Sequence, residues 1–127
     1  MNTARSELRF ADAQAAGLRQ GIVASGGATP MIVLDGRTRP ALRAFSCMIE
    51  PREGDVVLLC GEDQLHILAV LTRPGLGDAV LSLPDPAATL GLKAQAIAIE
   101  GATTVRVEAP EVSLKGASVR LLASTAT

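Results

Sequence analysis

The stretch Val105-Arg106-Val107-Glu108-Ala109-Pro110-Glu111-Val112-Ser113-Leu114-Lys115-Gly116-Ala117-Ser118-Val119-Arg120-Leu121 holds three copies of one short pattern: an apolar residue, any residue, a second apolar residue. Two earlier copies, Leu90-Gly91-Leu92 and Ile97-Ala98-Ile99, bring the series to five, and their first residues stand 7, 8, 7 and 7 positions apart. Alternate side chains of a strand share a face, so each copy places two apolar groups on one side. The residues between and beside them are polar or small, among them Arg106, Glu108, Ser113, Lys115 and Arg120, while Gly101, Pro110 and Gly116 supply bends. No copy is long enough to fold alone. Five in series describe the coils of a β-solenoid, or a ladder whose core other chains must close.

A single-chain solenoid takes roughly 20 residues per coil, which leaves room for about two coils after Leu90. Two coils do not make a self-sufficient core. Three chains wound about a common axis solve this, each contributing one short strand per layer. The pattern therefore predicts a homotrimeric, intertwined, triple-stranded β-helix or prism. Its axis is lined by Leu90, Leu92, Ile97, Ile99, Val105, Val107, Val112, Leu114, Val119 and Leu121. Three-fold closure also removes the open edges that a lone ladder exposes. A conventional sandwich or meander is the competing reading of the same spacing.

Upstream of the repeats the signals are those of tightly turned strands. Gly21–Ala24 reads as a strand closed by Ser25-Gly26-Gly27, and Pro30–Leu34 as a second, ending at the hairpin turn Asp35-Gly36. Arg37–Phe45 follows, with Pro40 marking an edge or a bulge. Glu50-Pro51-Arg52-Glu53-Gly54-Asp55 is a turn in which Pro fixes one φ and Gly accepts a positive one. Val56–Cys60 reads as a strand buried on both faces, and Leu65–Leu71 as an almost wholly apolar partner. Five strands in so short a span predict a small closed barrel, OB-type first and SH3-like second. The expected organisation is an N-terminal arm over 1–17, the barrel over 18–75, a linker and connecting strand over 76–89, and repeats over 90–127. The fold class is all-β.

The segment Ser46-Cys-Met-Ile-Glu-Pro51-Arg-Glu-Gly54-Asp55-Val-Val-Leu-Leu59, with His66-Ile-Leu-Ala-Val-Leu-Thr-Arg-Pro74, resembles a family of proteins encoded in type VI secretion clusters. Such genes commonly lie near those for the valine-glycine-repeat spike and its PAAR-like tip. The Pro-x-x-Gly-Asp turn ahead of an apolar strand is also similar to the OB domain of that spike and of contractile phage tail spikes. In those proteins short repeats after the barrel form a triple-stranded β-helix. The resemblance implies a spike-like homotrimer with an OB collar and a shaft. Pro51, Gly54 and Asp55 would shape the barrel turn, and Val56–Leu59 and Ile67–Leu71 would fill its core. Implied partners are further copies of the chain and a spike, PAAR-like tip or effector protein.

Composition narrows the function classes. Basic and acidic residues number 12 and 13, and they balance on either side of Gly75 as well, so no basic face is offered to nucleic acid. Trp and Tyr are absent and Phe10 and Phe45 are the only rings, which leaves little to stack on bases or sugars. Residues 1–17 lack a signal-peptide core and no run approaches a membrane span. With Cys47 and Cys60 in no metal-like spacing, a reduced cytoplasmic origin is expected, and the resemblance implies export as part of an injection apparatus.

No catalytic or metal-binding constellation emerges, and no cofactor is called for. His66, the only histidine, has no nearby partners for base or ligand chemistry and reads as structural. Cys47 and Cys60 read as packed thiols. Glu50, Glu53 and Asp55 read as a solvated acidic turn, and Arg37, Arg39 and Arg43 as a solvated basic stripe. Gly26-Gly27 lacks the Lys-Ser/Thr of a phosphate loop. The expected function is a non-enzymatic structural or adaptor component. A bactofilin-like β-helical filament and an OB-type binding module are the alternatives.

Overall fold

The computed structural model describes residues 17–75 and 77–124, and every named element in it is a β-strand. All but the last residue of the expected arm, and Phe10 with it, lies outside the described residues. The chain divides after Leu90 into two units.

The first unit contains β1 (Leu18–Ser25), β2 (Met31–Leu34), β3 (Arg37–Arg43), β4 (Val56–Cys60) and β5 (Leu65–Thr72). They close into a barrel in the order β1-β2-β3-β5-β4, with β4 returning to β1. All contacts are antiparallel except that between β3 and β5, which is parallel. The Asp35-Gly36 turn has φ of 52° and 77°, the double positive φ that lets a two-residue loop follow the strand twist. Pro40 lies opposite Met31 and just before the first β3–β5 pair, Ala41–Leu65. Ala41 donates to the Pro30 carbonyl on the β2 side, so the N–H that Pro40 lacks would face the side where pairing has not begun.

The core is Val23, Ile32, Leu34, Ala41, Cys47, Val57, Leu59, Leu65 and Ile67, all aliphatic or thiol. A five-stranded barrel is narrow, and branched aliphatics fill it where a ring would not. Phe45 accordingly sits outside, 71% exposed. Two expectations need correction. β4 is not buried on both faces: Val57 and Leu59 point inward while Val56, Leu58 and Cys60 are half-exposed on the wall. Likewise Leu65 and Ile67 fill the core from β5, but Leu68 and Leu71 face outward. A closed barrel has one interior, and the strand alternation decides which residues reach it.

In the second unit, residues 91–124 run without helix or strand pairing, with bends at Gln95, Ala102-Thr103, Pro110 and Ala117. One bend falls between each pair of successive apolar units. The strands expected of the repeats are not formed within one chain, because no backbone hydrogen bond joins two described residues of this segment.

Gly21 shows how tightly the barrel closes. A Cβ there would stand 2.6 Å from Ile32 Cγ2, 2.8 Å from Leu59 Cδ1 and 3.1 Å from the Val33 carbonyl oxygen. Gly21→Val is therefore expected to lower barrel stability by about 1–3 kcal/mol through overpacking, read as a lower urea midpoint with unchanged slope.

Candidate functional site

Two features stand out: a buried ionic junction at the mouth of the barrel, and the apolar ladder of the second unit. The junction is built on the turn before β4. Gly54 takes φ +90°, and a Cβ there would lie 3.0 Å from the Pro74 ring. Its N–H donates to the Val23 carbonyl at 2.8 Å, and Val23 N–H donates back to the Asp55 carbonyl at 2.9 Å. This fastens the turn to β1 and drives the Asp55 side chain inside, with no exposed surface.

Asp55 is thus not part of a solvated acidic turn. Arg73 Nε donates to Oδ1 at 2.8 Å and Nη2 to Oδ2 at 2.8 Å, while Arg52 N–H donates to Oδ2 at 2.8 Å. The same guanidinium donates from Nη2 to the Glu50 carbonyl at 3.0 Å and from Nη1 to the Asp78 carbonyl. A planar fork suits this role, since it serves a carboxylate and two carbonyls at once. The Arg73 hydrogen bonds hold the Asp55 carboxyl below its usual range against the opposing effect of burial, with help from the Arg52 N–H. One residue therefore ties the end of β5, the turn before β4 and the outgoing linker together.

A second brace joins the segment after the linker to the barrel. Ser82 N–H donates to the Met48 carbonyl and Glu50 N–H to the Val80 carbonyl, around an isolated Ile49–Leu81 bridge. The connecting strand expected over Ala79–Leu83 is reduced to that bridge. Arg43 Nη1 donates to the Ser82 carbonyl at 2.9 Å and the Cys47 carbonyl at 3.1 Å, and Nη2 donates to Ser82 Oγ at 2.9 Å. Ser82 Oγ in turn donates to the Glu50 carboxylate. Arg43 is thus a cross-brace, whereas Arg37 is exposed as expected. An open cavity of about 530 Å³ lies here, lined by Arg43, Glu50, Pro51, Leu81, Ser82 and Leu90 among others. Ser82 bridges its Arg43 and Glu50, and Asp85 accepts from Ala87 N–H.

The chemistry-bearing residues are dispersed. His66 is exposed on the barrel wall, opposite Cys60 in the β4–β5 register. Cys47 is buried, and burial pushes its thiol pKa up, away from the reactive thiolate. Among the described residues no three His, Cys, Asp or Glu side chains gather in a metal-binding group. No helix among them is long and apolar enough to cross a membrane.

The ladder is the opposite of the barrel core. Leu90, Leu92, Ile97, Ile99, Val105, Val107, Val112, Leu114, Val119 and Leu121 are between 51% and 85% exposed in the single chain. In every pair the second residue is the more exposed. Pro51, Gly54 and Asp55 lie in the segment that leads into β4, and the ladder residues share no core within the single chain. Arg73 and Ser82 were given no role from sequence, and Arg43 was read as part of a solvated stripe. The available signal was an acidic residue ahead of an apolar strand and an Arg-Pro at the end of its hairpin partner.

Residues 21–127 match the model of a family, DUF3540, described as a protein of unknown function. No curated protein and no solved structure matches the chain.

The junction makes a pH-specific prediction. A carboxylate whose folded pKa lies below its ordinary value of 3.8 stabilises the fold above that value and ceases to as pH falls through the folded one. Asp55→Asn should cost about 1–3 kcal/mol at neutral pH by leaving buried donors poorly matched. In thermal unfolding followed by circular dichroism, the gap between wild type and Asp55→Asn should narrow steadily below pH ~4.

Proposed function

The chain belongs to the DUF3540 family, and we propose that it is a non-enzymatic, homotrimeric structural or adaptor component of a type VI-type contractile injection apparatus. In this reading the first unit is an OB-type collar, and the repeats of three copies wind into a triple-stranded β-helix. The closed order β1-β2-β3-β5-β4, with its one parallel contact between β3 and β5, supports an OB-type over an SH3-like barrel.

One observation carries the proposal. Residues 91–124 have exposed apolar side chains and peptide groups without hydrogen-bond partners among the described residues. Both needs are periodic, and both are met by neighbouring strands from other copies. The bends at seven- to eight-residue intervals give each chain a corner after every apolar pair, as a prism requires. The tie from Arg73 to the Asp78 carbonyl would fix how the linker leaves the collar.

The assignment to an injection apparatus is supported by the resemblance of Ser46–Leu59 and His66–Pro74 to proteins of type VI clusters. The end of such a shaft presents strand edges on which a PAAR-like tip or an effector can dock by β-augmentation. A cytoplasmic origin and export with the apparatus go with that role.

Multi-angle light scattering tests the assembly. The full chain is expected to run as three copies at micromolar concentration. Val105→Asp combined with Val112→Asp places charges on the axis and should yield a monomer whose barrel still unfolds cooperatively. A wild-type monomer, or a charged variant that stays trimeric, would remove the proposal.

A further inference from the structure

We infer that the segment after the linker is a docking edge: an extended strand of a partner protein, carrying a lysine or arginine between aliphatic residues, pairs with Leu81 and seats its cation against Glu50. The site lies within the first unit and does not depend on the assembly proposed above.

The bonds from Ser82 N–H to the Met48 carbonyl and from Glu50 N–H to the Val80 carbonyl make Ile49 and Leu81 the non-hydrogen-bonded pair of a short antiparallel contact. In such a pair the N–H and C=O of each residue point away from the other strand. Leu81 therefore holds its peptide donor and acceptor toward the open side, and neither has a backbone partner among the described residues. Val80 and Leu81 are 39% and 60% exposed. An unpaired edge flanked by exposed aliphatic side chains is a template for a further strand. The added strand must be short, because Pro84 and Pro86 have no N–H with which to extend the pairing.

The cavity beside this edge sets what the strand carries. Side chains alternate, so Ser82 and Glu50 share the face opposite to that of Leu81 and Ile49. Both line the open cavity of about 530 Å³, together with Pro51, Leu83, Pro84 and Pro86. A strand laid against Leu81 places every second side chain over that face. The charges there are unequal. Arg43 is engaged, with Nη1 on the Ser82 and Cys47 carbonyls and Nη2 on Ser82 Oγ. Glu50 accepts from Ser82 through Oε2, and Asp85 from Ala87 N–H through Oδ1. The second oxygen of each carboxylate has no hydrogen-bond partner among the described residues. What the cavity still offers is thus negative. A lysine or arginine meets it, with its apolar stem along the prolines and its cation at Glu50 and Asp85.

Fluorescence anisotropy on the full chain tests the site. The probe is a fluorescein-labelled peptide with one lysine between two valines, flanked by threonines; the control has glutamate in place of the lysine. The lysine peptide is expected to bind saturably and about ten-fold more tightly than the control. Glu50→Gln combined with Asp85→Asn keeps acceptors for Ser82 and Ala87, and should bring the two peptides within about two-fold of each other. Leu81→Pro removes only an outward N–H, and should abolish binding with the urea midpoint unchanged. A lysine peptide N-methylated at both valines makes the same test from the ligand side and should not bind. Absence of saturable binding, binding that survives the N-methylated peptide or a stably folded Leu81→Pro, or a lysine preference that survives the neutral double variant would each overturn the site. Binding that appears only in the Val105→Asp, Val112→Asp chain would show another copy filling the edge and would overturn the foreign partner.

Discussion

Peptide groups and apolar side chains that lack partners in the same stretch of chain leave one requirement, which on the proposed reading another chain meets. Residues 91–124 carry that requirement at every repeat. The barrel shows what the same residue types do when one chain suffices. There, Val57, Leu59, Leu65 and Ile67 meet across a closed sheet and lose all contact with water. In the ladder, valines and leucines of similar size stand half or more exposed, in units separated by bends and joined by no strand pairing. The difference is topological rather than compositional.

The junction fixes the chain where it leaves the last barrel strand. Asp55 is fully buried, yet its oxygens accept from Arg73 and from Arg52 N–H, so the buried charge is matched. The Arg73 guanidinium reaches the Glu50 and Asp78 carbonyls as well. Pro74 packs over Gly54, where a side chain would collide with it. The point at which the chain leaves the sheet is thereby held from several directions, and the Arg43–Ser82–Glu50 brace extends the hold to residue 82.

Much of this was legible from the amino-acid order. Asp35-Gly36 announced its hairpin, and the five strands fell where apolar runs met turn residues. The ladder was readable because its period is written directly in the residues. The Asp55–Arg73 pair was not. Counting back from the Gly61–Gln64 turn in perfect register would set Asp55 opposite Leu71. Two irregularities in the β4–β5 pairing each slip the register by a residue, so that Val56 meets Thr72 and Asp55 falls beside Arg73. Such bulges leave no mark in an apolar run. The faces of β4 were hidden for the same reason, since Val56-Val-Leu-Leu-Cys60 offers no polar residue to show which side meets water. Arg43 read as solvated because its partners, Cys47 and Ser82, are brought together only by the fold.

Amide hydrogen exchange over residues 91–124 of the intact protein addresses the central claim most directly. If those peptide groups bond to neighbouring copies, their amides are protected at concentrations where the assembly forms and lose protection on dilution, while the barrel amides stay protected throughout. Exchange across 91–124 at the rate of an unstructured peptide, in a sample whose barrel is intact at high concentration, would contradict it.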